Sequence, residues 1–150
     1  MSIDEALTAE SGPWAEHIFV VPFHDVDMLE VAWHGHYYKY FELVRTALFE
    51  KYHLDVPALK EMGYALVVSD SSCRYIHPLT YGMKVRAKAV ITELEYRIGI
   101  SYTLHEHETD RRLAKGKTVQ VSLQMPSRSL RMATPEPIVA QFMAAAEGES

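Results

Sequence analysis

The chain has 150 residues and a mass of 17.1 kDa, the size of one domain, and 48% of its residues are apolar, enough to bury a hydrophobic core. Fifteen basic against 20 acidic residues give a formal charge of -5, so the chain lacks the broad positive field with which proteins capture nucleic acids. The single cysteine, Cys73, excludes a disulfide framework and any site built from several cysteines.

Residues 1–14 are expected to form a flexible N-terminal tail ahead of one domain that covers residues 15–150. The tail carries acidic residues and lacks the basic stretch that begins a signal peptide. No apolar run approaches the roughly 20 residues that a membrane-spanning helix needs. The sequence therefore predicts a cytoplasmic protein without a membrane span.

A β-rich stretch from Ala15 to Phe23 predicts the first strand, which Pro22 limits or places at a sheet edge. A loop should follow to about residue 33. Apolar residues then recur at helical spacing, which predicts a long helix, buried on one face, over about 35–53: Tyr37, Phe41, Val44 and Leu48.

Asp55 and Gly63 are a natural cap and terminator for a short helix over residues 56–62. Alternating residues then predict strands over 64–77, 83–91 and 98–104 and around 119–125, where Val119, Val121 and Leu123 continue the apolar pattern. Thr134 and Pro135 predict the start of a terminal helix. This order favours an α+β fold, an antiparallel sheet of about five strands wrapped around one long central helix.

The chemistry-bearing residues concentrate between the first strand and the long helix, where His24, Asp25, Asp27, His34 and His36 lie within thirteen positions. A carboxylate here would face the helix N-terminus, whose free N–H groups and dipole stabilise negative charge. Such a pair can hold an oxyanion while the carboxylate attacks a carbonyl or activates water. Either aspartate can instead be a helix cap or an Asx-turn residue. Because they are two positions apart, one of them is expected to be structural.

Two further groups of residues have simpler interpretations. His34-x-His36 and His105-x-His107 have ligand-like spacing, but the first pair does not share a helix face and the second lies among acidic residues on a polar strand face. We therefore expect no metal and no cofactor. Cys73 alternates within a β-rich stretch and is expected to be an apolar filler.

The run FHDVDMLEVAWHGHYYKYFELVR resembles the signature of the 4-hydroxybenzoyl-CoA thioesterase-like, hotdog-fold acyl-thioesterases. Asp25 and Asp27 match the D-x-D motif of this signature, and Trp33 and His34 match its aromatic-His pair. The helix motif that follows is matched by Tyr37, Phe41, Glu42 and Arg45. A weaker resemblance continues through YALVVSDSSCRYIHPLTYG, which ends in Tyr-x-x-Pro, and reaches PIVAQF near the C-terminus.

The resemblance implies a hotdog thioester hydrolase in which Asp27 is the catalytic nucleophile or general base and Asp25 is structural. The backbone N–H of His34 would bind the thioester carbonyl oxygen, and its side chain would assist. Glu30 departs from the family pattern, which has glycine there, so the loop and the acyl pocket are expected to differ. His36 replaces the more usual Asn or Ser.

The substrate implied is an acyl-CoA or an acyl-carrier-protein thioester, since D-x-D-x-x-x-V-x-W-H-G-x-Y also resembles members associated with aryl-polyene lipid biosynthesis. An open sheet of about five strands leaves unpaired edges, so a homodimer or homotetramer is expected, and the resemblance implies that the thioester sites are shared across its interface. Arg74, Arg86 and Arg128 are candidates for contact with the CoA phosphates.

Two alternatives remain open at this point. A hotdog hydratase or dehydratase would use a histidine with a carboxylate on the central helix, and Glu42 lies eight residues after His34, but D-x-D would then have no role. A non-catalytic acyl-binding protein would keep the fold and bind acyl thioesters without releasing thiol.

Overall fold

The computed structural model describes residues 3–8, 11–32 and 35–148, with side chains through residue 144. Its elements in chain order are β1 (Trp14–Val20), α1 (His36–Lys51), α2 (Val56–Met62), β2 (Tyr64–Tyr75), β3 (Lys84–Glu93), β4 (Ile98–Glu106), β5 (Arg112–Gln124), β6 (Ser129–Leu130) and α3 (Glu136–Gly148).

The strands form one antiparallel sheet in the order β1-β3-β4-β5-β2, and β6 adds two residues beside the end of β5. β3, β4 and β5 are consecutive neighbours, whereas β1 and β2 lie at the two edges. The predicted α+β class is confirmed, with five strands along the main path and one long helix packed against them.

One face of α1 is buried against the sheet through Tyr37, Tyr40, Phe41, Val44 and Leu48. The spacing of these residues is the one that predicted the helix. Phe41 stacks on Tyr102 of β4, with ring centroids 4.8 Å apart. Beside them, Gly116 of β5 leaves room for the Phe41 ring, since a Cβ there would lie 2.4 Å from Phe41 Cε2. The glycine therefore allows close packing of helix and sheet.

The alternation on β3 and β4 is confirmed, because Val85, Ala87, Ala89 and Ile91 are buried, as are Ile98, Ile100, Tyr102 and Leu104. On β5 the pattern differs from the expectation. The residues that share a face with Gly116 are polar and buried: Thr118, Gln120 and Ser122. The Tyr102 hydroxyl lies 2.6 Å from Thr118 Oγ1, and Gln120 Nε2 donates to the Ile98 carbonyl at 3.1 Å. Thr118 and Gln120 can face the core because their polar groups are paired with Tyr102, with the Ile98 backbone and with each other.

The short helix α2 has the predicted ends: the Ala58 N–H donates to the Asp55 carboxylate at 3.3 Å, and Gly63 has a φ of 90°. The terminal helix begins later than expected, at Glu136, and the backbone N–H of Ile138 donates to the Pro135 carbonyl. Thr134 is buried, and its hydroxyl has no hydrogen-bond partner within the described residues, so it does not act as the side-chain cap that was expected.

The described part of the N-terminal segment packs against the domain rather than extending as a free tail. Leu7 is buried in the core, and the Asp4 carboxylate accepts hydrogen bonds from the backbone N–H groups of Leu94 and Glu95 at 2.6 and 2.9 Å. Trp14, expected in the tail, is the first residue of β1.

Candidate active site

The described segment that follows β1, residues 21–32, contains a tight loop. Residues 23–25 form a single turn of 3-10 helix, after which Val26 and Ala32 pair as an antiparallel bridge. Between them, the Asp27 N–H donates to the Val31 carbonyl at 3.0 Å, and the Glu30 N–H donates to the Asp27 carbonyl at 2.9 Å. These bonds hold Asp27 at the base of a small, closed loop.

Asp27 is exposed, and its carboxylate is oriented by its own loop. The Oδ1 atom accepts from the N–H of Leu29 at 2.8 Å and from that of Val31 at 3.5 Å, so Asp27 is indeed an Asx-turn residue. Within the part of the chain that the structure describes, Oδ2 accepts no hydrogen bond. The turn fixes one oxygen and leaves the other available for chemistry.

The Asp27 side of the loop opens into a cavity of about 400 Å³, referred to below as the Asp27 cavity. Its wall combines the loop, the first turn of α1 and the segment after β2: Asp27, Val31, Ala32, Tyr37, Tyr75, Ile76, His77 and Pro78. A molecule entering this space would meet a carboxylate beside the start of the long helix.

Two tyrosines of this wall stack edge to face, with the ring centroids of Tyr37 and Tyr75 4.8 Å apart. Burial raises the pKa of Tyr37, a rise that a hydrogen bond with the Leu79 backbone opposes. Burial also raises the pKa of Tyr75, and the neighbouring Cys73 raises it further. Both phenols therefore stay protonated at neutral pH.

Asp25, in contrast to the exposed Asp27, is buried, with only 1% of its surface exposed. Lys39 Nζ lies 2.6 Å from both carboxylate oxygens, and the Tyr40 hydroxyl donates to Oδ2 at 2.7 Å. His24 and His36 approach Oδ1 at 3.5 and 3.8 Å. Burial alone would raise the pKa of Asp25, but the hydrogen bonds from Lys39 and Tyr40, with the charges of Lys39 and His36, hold that pKa below its usual value. Asp25 is a structural anion.

The N-terminus of α1 adjoins the Asp27 cavity through Tyr37. Gly35 is its N-cap and has no side chain with which to satisfy the first amides of the helix, and no acidic residue lies in the first turn. This end of the helix can therefore stabilise an anion. Trp33 and His34 lie outside the described residues, so the role of His34 stays a prediction.

Glu30 has a φ of 60°, the left-handed conformation that a side chain disfavours and glycine accepts. Its side chain is exposed and does not belong to the wall of the Asp27 cavity. The loop thus keeps the backbone shape that favours glycine even though a glutamate stands there. The Glu30 side chain therefore does not account for the expected difference in the acyl pocket within the single chain.

A second and larger cavity, about 930 Å³, lies between α1, α2 and the first half of β2. We refer to it as the α2 groove. Its floor includes Phe49, Leu59 and Leu66, and its rim carries Glu42 and Arg45. The guanidinium of Arg45 reaches the Tyr102 hydroxyl at 3.5 Å.

Other candidate residues do not form a site. Within the described ranges, no cluster of three or more His, Cys, Asp or Glu side chains could hold a metal. Burial lowers the pKa of His105, and burial raises the pKa of Cys73, which is half-buried on β2. Tyr75 and His77 were missed as site residues. The only signal for them was the Tyr-x-x-Pro ending of their strand.

Residues 21–144 match the model of the thioesterase-like superfamily. The chain belongs to this family. The match spans the loop with Asp27, the long helix and the whole sheet from β2 onward, so the resemblance read from D-x-D and the following helix is confirmed. Among proteins with curated descriptions, none matches the chain by sequence.

Solved structures share the fold of this thioesterase-like chain. A 1,4-dihydroxy-2-naphthoyl-CoA thioesterase from Synechocystis is 19% identical with a TM-score of 0.77, over 87% of this chain and 96% of the other. DHNA-CoA thioesterase from Staphylococcus aureus is 18% identical with a TM-score of 0.77, over 90% and 91%. A hypothetical protein from Staphylococcus aureus, solved in complex with CoA, is 17% identical with a TM-score of 0.81, over 95% and 90%.

Within the described residues of this family member, no helix is long and apolar enough to cross a membrane.

Proposed function

We propose that this protein hydrolyses acyl thioesters, with Asp27 as the nucleophile or general base. One observation carries the proposal: the Asp27 carboxylate, with one oxygen fixed and one free, lines a cavity at the first turn of α1. Membership of the thioesterase-like superfamily supports the same reaction.

The thioester carbonyl would sit between Asp27 and the N-terminus of α1. Negative charge that develops on the carbonyl oxygen is stabilised by the helix N–H groups, and the backbone N–H of His34 is the proposed donor. Asp27 Oδ2 then either attacks the carbonyl carbon or takes a proton from the attacking water. In the first route the thiolate leaves, and water then hydrolyses the anhydride between the acyl group and Asp27. In the second route the hydroxyl of the water displaces the thiolate directly. Both routes consume one water and end in a free acid and a thiol.

The acyl carrier is proposed to be CoA or an acyl-carrier protein. Two of the structures with this fold are named as thioesterases of an aromatic acyl-CoA, and a third holds CoA, which supports the CoA alternative. Of the three predicted phosphate contacts, Arg86 is already engaged by Asp110, whereas Arg74 and Arg128 are exposed, and Arg74 pairs in register with Lys115. Arg74 and Arg128 are therefore better candidates than Arg86.

A homodimer is part of this proposal. Within the described residues, β2 pairs only with β5, so its other edge presents unpaired backbone groups along 12 residues. Proteins pair or protect such edges, yet Val67 and Val68 on this one are exposed. Antiparallel pairing of two β2 strands about a twofold axis would remove both edges.

Such a dimer would also bring the two cavities together. Tyr75, at one end of β2, lines the Asp27 cavity, and Tyr64, at the other end, lines the α2 groove. Antiparallel pairing places the Tyr75 end of one strand beside the Tyr64 end of its partner. The Asp27 cavity of one protomer would then adjoin the α2 groove of the other, consistent with a shared site.

A thiol-release assay over benzoyl, short-chain, medium-chain and long-chain acyl thioesters tests the proposal. Hydrolysis of at least one CoA or carrier-protein thioester, well above the rate without enzyme, is the expected result. Loss of enoyl-thioester absorbance without thiol release would indicate a hydratase instead. Acyl-CoA binding with no turnover across the panel would indicate a non-catalytic acyl-binding protein and would overturn the proposal.

A further inference from the structure

His77 lies in the wall of the Asp27 cavity but takes no part in the proposed attack on the carbonyl. It follows β2, and its backbone N–H donates to the Leu113 carbonyl at 3.0 Å, which fixes the segment against β5. The residue is half-buried, and it shares the cavity wall with Asp27, Tyr37 and Tyr75.

One contact determines which ring nitrogen is available. His77 Nδ1 lies 3.0 Å from the Pro78 carbonyl oxygen. A carbonyl oxygen only accepts hydrogen bonds, so Nδ1 carries the proton and Nε2 is the nitrogen that can gain or lose one. Because the Nδ1 bond is kept in both states, the ring can exchange a proton at Nε2 without changing its orientation.

The other polar groups of the wall are poorly suited to donate a proton. Burial raises the pKa of both Tyr37 and Tyr75, so their phenols hold their protons tightly. Asp27, as a carboxylate, only accepts. Imidazole is the side chain that most often transfers protons near neutral pH, and His77 is the one imidazole among the described residues of this wall.

We propose that His77 is a further catalytic residue, which protonates the departing thiolate through Nε2. This inference rests on the proposed thioester hydrolysis. His77 enters this step as the imidazolium, with a proton on each ring nitrogen. When the C–S bond breaks, its electron pair stays on sulfur, and sulfur takes the proton from Nε2. The neutral imidazole then recovers at Nε2 the proton that the hydrolytic water releases, directly or by way of the Asp27 carboxylate, while the hydroxyl of that water stays on the acyl carbon. The products are one carboxylic acid and one thiol, and the ring returns to its starting state.

The role predicts a dependence on the leaving group. An alkyl thiolate is basic and gains from a proton donor, whereas an aryl thiolate is a weak base and leaves without one. The probes are two thioesters of the same acyl group, one of N-acetylcysteamine and one of thiophenol. The variants are His77→Gln and His77→Asn. The Asn amide can keep the hydrogen bond to Pro78, and neither side chain titrates.

With His77→Gln or His77→Asn, kcat/KM is expected to fall about 10²-fold for the alkyl thioester and less than about threefold for the aryl thioester. Asp27→Asn should lower both rates by similar factors. His53→Asn is the matched control, because His53 is exposed, lies beyond the far end of α1 and has a φ of 61° that Asn also adopts. It should retain both activities.

Equal losses of kcat/KM on the two thioesters would indicate that His77 only shapes the cavity. Unchanged kcat/KM on both would show that His77 has no role in the mechanism. Either result overturns the inference, provided that one of the two variants shows the wild-type circular dichroism spectrum. Failure of the wild-type protein to hydrolyse any thioester would instead overturn the proposed function itself, so the two failures are distinguishable.

Discussion

The ammonium group of Lys39 lies 2.6 Å from each carboxylate oxygen of Asp25, and this contact joins the loop that carries Asp27 to the second turn of α1. Tyr40, the next residue of the helix, donates to the same carboxylate at 2.7 Å. The two parts of the proposed site, a carboxylate on a loop and a helix N-terminus, are thus held together by a buried anion two residues before Asp27.

Asp25→Asn should destabilise the fold by about 1–3 kcal/mol at neutral pH, because it weakens the bonds to Lys39 and Tyr40 in a buried position. The partial exposure of Lys39 limits the cost, since water can solvate its charge. Urea unfolding of both proteins measures the difference. Asp55→Asn is the control, because Asn also caps a helix well.

The difference in unfolding free energy between the wild type and Asp25→Asn should become smaller as the pH falls. The pKa of Asp25 is lowered in the folded state from its ordinary 3.8, so the unfolded chain binds the proton more readily. The stability from this carboxylate is therefore fully present above about pH 5 and is lost as the pH falls through 3.8 and then through the folded pKa. Unfolding curves at several pH values should show the wild type and Asp25→Asn converging in acid. A gap that widens on acidification would contradict this assignment.

Much of this architecture could be predicted because local signals agree with the tertiary structure. The apolar spacing from Tyr37 to Leu48 predicted α1, and Asp55 and Gly63 predicted the ends of α2. The difference between the two aspartates was also expected, although Asp25 ends a 3-10 turn instead of continuing the strand.

The inward face of β5 could not be predicted, because a polar residue reaches the core only when another element satisfies it. Thr118 is bonded to Tyr102, and Gln120 to the backbone of Ile98; both partners are on β4. Similarly, His77 enters the site because the end of β2 meets the loop before α1. The Tyr-x-x-Pro ending marks this segment but does not indicate which loop the segment contacts.

Asp27→Asn should leave the protein folded and lower kcat by roughly 10²–10⁴, the span expected when a general base is lost. The amide still accepts from Leu29 through its carbonyl oxygen, so the Asx turn can persist. Thiol release and circular dichroism measure the two effects separately. Wild-type activity in a folded Asp27→Asn variant would remove Asp27 from the mechanism.

Glu30→Gly should be more stable than Glu30→Ala by about 1 kcal/mol, because only glycine relieves the left-handed backbone at φ 60°. Thermal unfolding compares the two variants, which both lack the carboxylate and differ only in the Cβ atom. A substrate panel run in parallel addresses specificity. A changed ranking shared by both variants would assign a role to the Glu30 carboxylate, and equal stability would show that the backbone there is not strained.

Light scattering coupled to size exclusion should give a mass of at least twice 17.1 kDa at micromolar concentration, because the free edge of β2 and its exposed valines favour pairing with a second copy. If the dimer is needed for folding, the melting temperature should also rise with protein concentration. Catalysis supplies the stricter test, since the proposed site uses the Asp27 cavity of one protomer and the α2 groove of the other. On dilution, specific activity should fall as the dimer dissociates. A monomeric preparation that still hydrolyses thioesters at full rate would contradict both the dimer and the shared site.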